Sequence, residues 1–354
     1  MELFHKAKAW YEEYEDRISI GSLLLGFIVD SFTLQSIDAL REDLWIAGNL
    51  FLAGLCIILL NRKPSEGKRF WFGNILQFSF GALFGSLFIF YFRSATLSVA
   101  WPFLLMLIGA MLANEFFQKR YEKLAFQLSF FYFSLFSFMI FLVPLVVKEI
   151  GPEIFVLSGG VSLLFLWIYI FVLGKFATQK FLENRTHIWT FVTVIFVGVN
   201  ILYFTNLIPP IPLSLKDAGL YHAITKNSAG EYLAADEKKG LTDHLSFRKK
   251  VHWQEGEWLY AYSAIFSPGS INTDIVHHWQ YKNEAGEWVT ATRIPLFLSG
   301  GRSWGFRTFS KKETFTAGDW RVDVETPRGQ LIGRLNFKII PTTGDVKLVT
   351  EVKE

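Results

Sequence analysis

Asn206-Leu207-Ile208-Pro209-Pro210-Ile211-Pro212 marks the point where the chain changes character. Three prolines in four positions cannot continue a helix, because proline offers no backbone N–H and its ring clashes with the preceding turn. Before this junction lie seven apolar stretches, roughly 18–36, 44–61, 72–92, 95–113, 125–147, 153–174 and 187–208. Each approaches the about 20 helical residues that cross a hydrocarbon core of about 30 Å. After the junction there is none. The 354-residue sequence is 51% hydrophobic with 37 Phe and 12 Trp, and the surplus sits before residue 210, as helices solvated by lipid require. The expected architecture is an α-helical polytopic membrane bundle of seven spans over 1–210, a short, stiff Pro-rich linker over 211–214 and a second domain over 215–354.

Cytoplasmic loops accumulate Lys and Arg, so the cations of the helical half predict an orientation. Lys6, Lys8 and Arg17, then Arg62, Lys63, Lys68 and Arg69, then Lys119, Arg120 and Lys123, then Lys175, Lys180 and Arg185 fall in alternate connections, thirteen in all. The other connections hold only three, Arg41, Arg93 and Lys148. The expectation is a multi-pass protein of a bacterial inner (cytoplasmic) membrane with its N-terminus in the cytoplasm and the C-terminal domain periplasmic or extracellular. The first seventeen residues carry Glu12, Glu13, Glu15 and Asp16 and do not resemble a cleaved signal peptide, so the first span is expected to serve as an uncleaved anchor. The C-terminal part holds 19 Lys/Arg against 17 Asp/Glu, which gives no basic field for nucleic acid. The one cysteine, Cys56, lies in an apolar run and supports neither a disulfide framework nor a thiolate metal cluster.

From about Glu257 onward the pattern has a period of two, the mark of strands with one buried face. Trp320, Val322 and Val324 alternate with Arg321, Asp323 and Glu325, and Leu331, Leu335, Phe337 and Ile339 alternate with Gln330, Arg334, Asn336 and Lys338. Gly286 and Gly329 supply hairpin turns. Several short strands in about 140 residues predict an all-β, immunoglobulin-like sandwich.

Three motifs stand in order in this domain: Ile275-Val276-His277-His278-Trp279-Gln280-Tyr281, then Ser299-Gly300-Gly301-Arg302-Ser303-Trp304-Gly305-Phe306-Arg307, then Gly318-Asp319-Trp320-Arg321-Val322-Asp323-Val324. Together, over roughly Leu259 to Ile340, they resemble a bacterial domain family catalogued as domain of unknown function 2914. The helical half is similar to the region that precedes this domain in some members, notably in Gly26-Phe27-Ile28-Val29-Asp30 with Leu34, and in Asn114-Glu115 before Lys119-Arg120-Tyr121. The resemblance implies a placement and a β fold and carries no established activity. Members often have Arg where His278 stands, so the resemblance implies no imidazole function there.

Candidate chemistry is sparse. His277 and His278 are adjacent, so a strand sends them to opposite faces. His222, His244 and His252 have no metal-ligand spacing, and neither a metal nor a cofactor is expected. Arg302 and Arg307 offer planar forks for carboxylate or phosphate beside the stacking face of Trp304, and Gly300 and Gly301 allow close backbone approach. The same residues also fit a β-bulge or tight turn with the arginines paired to nearby acids. Within the spans, Asp30, Asn49 and Arg93 fall toward the outer side and form a candidate polar site, or a helix-locking pair, since an ionisable residue in a span is paired or solvated.

No acid/base or nucleophile arrangement is visible, so catalytic residues are not expected. The expected function is an integral membrane protein whose external sandwich binds a glycan, a lipid headgroup or a protein partner of the cell envelope; its partners are the bilayer and that ligand, and a homo-oligomer is compatible with the pattern. The alternative is a transporter or membrane enzyme acting on a lipid-linked or small anionic substrate, with Asp30 and Arg93 at the site.

Overall fold

The computed structural model describes residues 40–62, 64–116, 123–228, 231–238, 249–267, 271, 273–298 and 305–353. Apart from the short stretch Ser94–Val99, the chain divides into a helical unit up to Ile208 and a β unit from Pro209.

The helical unit contains α1 (Leu40–Asn61), α2 (Glu66–Ser94), α3 (Leu97–Phe116), α4 (Leu124–Val147) and α5 (Pro152–Phe204). All five are long and apolar enough to cross a membrane. The expected seven spans are thus five helices among the described residues. The stretch 18–36 lies outside the described residues, and the stretches 153–174 and 187–208 fall in one helical run of 53 residues that is kinked at Ala177. The reason lies in the connection: Lys175 to His187 is polar but contains neither Gly nor Pro, so it interrupts the apolar pattern yet stays helical on both sides of a kink at Ala177.

A straight helix of that length would extend about 80 Å. Instead Ala177 leaves helical geometry (φ −140°, ψ 40°), and the ring of Phe155 stacks on that of Tyr203 with centroids 3.6 Å apart. Residues so distant in sequence meet only if the two limbs of α5 fold back on each other. Phe136 of α4 reaches both limbs, at 6.1 Å from Phe155 and 5.7 Å from Phe196. Gly159 makes room for these rings, since a Cβ there would stand 3.2 Å from Phe196. Tyr169 of α5 donates to the Gly54 carbonyl of α1 at 2.8 Å, and Tyr91 of α2 donates to the Ser137 carbonyl of α4 at 2.9 Å.

Among the described residues the β unit has eleven strands: β1 (Ser214–Tyr221), β2 (Ala223–Lys226), β3 (Tyr232–Glu237), β4 (Lys249–Trp253), β5 (Leu259–Phe266), β6 (Thr273–Lys282), β7 (Trp288–Leu298), β8 (Phe306–Lys312), β9 (Gly318–Glu325), β10 (Leu331–Pro341) and β11 (Leu348–Lys353). They form a five-stranded sheet β4-β10-β9-β6-β7 and two three-stranded sheets, β1-β5-β8 and β11-β3-β2. The first two sheets form a sandwich, with Trp279, Trp320, Val322, Phe337 and Ile339 packed on Leu220, Leu259 and Ala261. Each Leu, Val, Ile or Phe among them contributes roughly 1.5–3 kcal/mol by leaving water.

The β-rich architecture extends beyond the alternation legible from about Glu257. Strands run from Ser214 onward, and a third sheet covers the outer side of β1-β5-β8 through Tyr221, Ile224, Ala234, Tyr262 and Ala264. The edge strand β4 also runs parallel to β10. Strand β5 is therefore covered on both faces, which is why its residues Ala261 to Phe266 are all buried. The turn glycines behave as the sequence requires, with Gly286 at φ 82° and Gly329 at φ 89°.

Candidate functional site: the charged face of the five-stranded sheet

Strand β6 sends its odd residues into the sandwich and its even residues outward. His277 is fully buried, with Nε2 2.8 Å from Ser263 Oγ and Nδ1 2.9 Å from Ser310 Oγ. Trp279 Nε1 donates to the same Ser310 hydroxyl at 3.0 Å. Burial holds the His277 imidazole neutral, with its pKa lowered to about 4. A serine and a histidine at hydrogen-bond distance suggest a nucleophile and base. This pair lies sealed between the sheets, and its other nitrogen meets a second serine rather than a carboxylate, so it is a core crosslink.

His278 faces the other way, and the register places it in a row. Arg293 of β7 lies opposite His278 of β6, which lies opposite Asp323 of β9, which lies opposite Arg334 of β10. The neighbouring row runs Thr290, Gln280, Arg321 and Asn336. Arg334 grips Asp323 with both arms of its guanidinium, Nε to Oδ1 at 2.6 Å and Nη2 to Oδ2 at 2.8 Å. That fork raises the pKa of Arg334 further. Arg321 donates to Gln280 Oε1 from Nη2 at 2.7 Å, and its guanidinium lies 4.4 Å from the ring centre of Trp288.

Glu325 completes the face. Its Oε1 stands 2.7 Å from Arg293 Nη2 and 3.3 Å from His278 Nδ1, yet neither contact is aligned as a hydrogen bond. Burial pushes its carboxyl pKa up against the pull of His278 and Arg293. The face therefore holds three guanidinium groups against two carboxylates, and Arg293 is the arginine that most reaches solvent, at 47% exposure. Such an arrangement suits recognition of a planar anion. It contains no activated nucleophile. Among the described residues no group of three His, Cys, Asp or Glu side chains is arranged to hold a metal ion.

The other candidates are dispersed. Arg302 and Trp304 lie outside the described residues, as does Asp30. Arg307 lies on β8, where Nη1 donates to the Lys353 carbonyl at 2.9 Å and the guanidinium stands over Tyr232, so it joins the third sheet and not His278. Asn49 turns back on its own helix, donating to the Trp45 carbonyl at 2.9 Å. Arg93 closes the last turn of α2, and its Nη1 is buried without a hydrogen-bond partner.

Alternation marks Arg321, Asp323 and Glu325 as outward-facing, but nothing in the sequence signals that Asp323 and Glu325 are also buried. The signal that was available is the regular offset of Arg293, His278, Asp323 and Arg334 around the two hairpin glycines. All of these residues fall in one segment. Residues 272–339 match the family described as "Protein of unknown function (DUF2914)". The DUF2914 segment runs from the start of β6 nearly to the end of β10 and supplies the whole charged face.

No curated protein matches the chain. Among solved structures, the Pseudomonas fluorescens alkylpurine DNA glycosylase AlkC, bound to DNA containing an abasic site analog, matches with 9% identity over 84% of this chain and 99% of its own. Its TM-score is 0.24.

Proposed function

We propose that this chain is a membrane-anchored, non-catalytic binding protein whose DUF2914 face takes an anionic group of an envelope glycan outside the cytoplasmic membrane. The observation that carries the reading is the row of Arg293, His278, Asp323 and Arg334 with Arg321 stacked on Trp288. It sets the half-exposed guanidinium of Arg293, a fork for a carboxylate or phosphate, beside a cation–aromatic pair whose edge a sugar ring can pack on.

Placement outside the membrane is supported by the charge pattern. If the two limbs of α5 count as separate crossings, Leu40 and Phe204 lie on the same side. The connections facing the opposite side then hold Arg62, Lys63, Lys68, Arg69, Lys119, Arg120, Lys123, Lys175, Lys180 and Arg185, ten cations against Arg41, Arg93 and Lys148. This argument does not depend on the stretch 18–36.

The test is binding of the full-length protein in lipid nanodiscs to an array of neutral, carboxylated and phosphorylated glycans. The expected result is retention of acidic glycans only, weakened at least about tenfold by Arg293→Ala or Arg321→Ala, the loss of one charge-assisted hydrogen bond. Binding that is indifferent to both substitutions, or confined to a protein or to bare lipid, overturns the ligand class. Uptake or turnover of a small anion that depends on Arg93 would favour the transporter reading instead.

A further inference from the structure

His222 is the single residue between β1 and β2, so it joins the sandwich to the third sheet. It is 6% exposed and both ring nitrogens are engaged by carboxylates. Nδ1 lies 2.5 Å from Glu257 Oε1 in the turn before β5, and Nε2 lies 3.1 Å from Glu237 Oε1 at the end of β3. Glu257 belongs to the sandwich side and Glu237 to the third sheet. A neutral imidazole has one N–H and one lone pair, whereas an imidazolium has two N–H donors. Only the protonated ring satisfies both carboxylates at once.

We propose that His222 is a proton-operated latch: its imidazolium ties β3 of the third sheet to the β4–β5 turn of the sandwich, and loss of the proton undoes that tie. The groups that face the ring are Glu237 from β3 and Glu257 from the turn. One step further out, His252 of β4 places Nδ1 2.8 Å from Glu237 Oε2 and its backbone N–H donates to Glu237 Oε1 at 2.6 Å. Lys249 of β4 is ion-paired to Asp236 of β3 and donates to the Leu220 carbonyl at 2.6 Å, so these two charges answer each other. Glu257 is held less firmly, by the backbone N–H of Gln254 at 3.2 Å. When His222 loses a proton, a ring lone pair faces a carboxylate oxygen at close range in a buried site, and one of the two contacts must open.

The direction of the pH response follows from the same contacts. Burial works against the charged imidazole, but the hydrogen bonds and charges of Glu237 and Glu257 outweigh it, and the pKa of His222 in the folded chain lies above its ordinary value of 6.5. A raised folded-state pKa means that the latch contributes fully below about 6.5 and fades as the pH rises through the folded value. Glu237 is held down to about 2 by its histidine donors, although burial opposes them, so its half of the clasp survives until the pH falls toward that value. The latch is therefore closed in mild acid and open in alkali. Opening leaves β3 held to β4 by His252 and Lys249 and so loosens, without freeing, β2, β3 and β11 over the buried tyrosines Tyr221 and Tyr262.

Hydrogen exchange of the full-length protein in nanodiscs, read at pH 6 and pH 9 and corrected for intrinsic exchange, tests the latch. In the wild type, protection over residues 223–237 and 348–353 is expected to fall at least about tenfold from pH 6 to pH 9, the change that follows from losing one charge-assisted hydrogen bond in a local opening. The amides of β9 and β10 serve as the internal control and should not change. In Glu257→Gln the step should move to lower pH, because one of the two carboxylates that favour the charged ring is gone. In His222→Gln the step should vanish. A wild-type profile with no step, or a step that persists unchanged in His222→Gln, or one that stays in place in Glu257→Gln, overturns the proposal. Glycan binding does not enter this readout, so the latch and the binding face fail or succeed separately.

Discussion

Two histidines in the β unit titrate in opposite senses because their neighbours differ. His222 sits between carboxylates and is favoured charged, whereas His277 sits between the hydroxyls of Ser263 and Ser310 and is favoured neutral. With a folded-state pKa of about 4, His277 takes up a proton in the folded chain only after the unfolded chain has done so near its ordinary 6.5. Its contribution is thus present above about 6.5 and is lost as the pH falls toward about 4. His277→Leu should remove this acid-side loss from the exchange-derived stability of β6. At neutral pH it should cost about 1–3 kcal/mol, since Ser263 is left buried without its imidazole partner. If the acid limb is as steep in His277→Leu as in the wild type, another group is responsible for it. From sequence, the opposite facing of His277 and His278 was legible through the period of two. Their chemistry was not, because the partners Ser263, Ser310 and Glu325 come from strands distant in the chain.

Among the elements, β9 and β10 were the most legible, since a clean alternation and a turn glycine at Gly329 are local signals. Strands β1 and β2 were not. The register of β1 on β5 shifts between Leu215 and Asp217, which breaks the period, and β2 is only four residues long. The third sheet escaped for the same reason, because its strands take their burial from packing on β5 rather than from a pattern of their own. Among the described helices, a polar stretch without Gly or Pro reads as a loop but bends within a helical run at Ala177. Close approach at Gly305 gives the element-scale prediction. That residue has φ 90°, and a Cβ on it would lie 3.0 Å from the carbonyl carbon of Ile265 in the partner strand β5. A backbone atom cannot swing aside as a side chain does. Gly305→Ala should therefore destabilise the β5–β8 pairing by about 1–3 kcal/mol, seen as faster exchange of Phe306 to Phe309 and of Ala261 to Ile265. Unchanged exchange in those two strands would mean that the turn adapts.

At the scale of the molecule, an apolar helical unit and a mixed-charge β unit follow one another in a single chain, and the proposed topology rests on the cation count. The assignment can be read chemically because Cys56 is the one cysteine and is buried. In a Cys56→Ala background, a new cysteine at exposed Asp345 reports on the β unit, and one at exposed Thr186 reports on the polar stretch of α5 beyond the Ala177 bend. A membrane-impermeant maleimide applied to intact spheroplasts should label Asp345→Cys at once and Thr186→Cys only after the membrane is opened. The reasoning is energetic: transferring the ten cations of the inward connections across the bilayer would oppose the bias that orients short loops, whereas Arg41, Arg93 and Lys148 offer little resistance. Labelling in the reverse order would invert the topology and put the arginine face in the cytoplasm, where an envelope glycan could not reach it. Labelling of both sites before lysis would mean that the two limbs of α5 do not both cross. The even number of crossings between Leu40 and Phe204 would then no longer follow, and the β unit would need a different route to the outer surface.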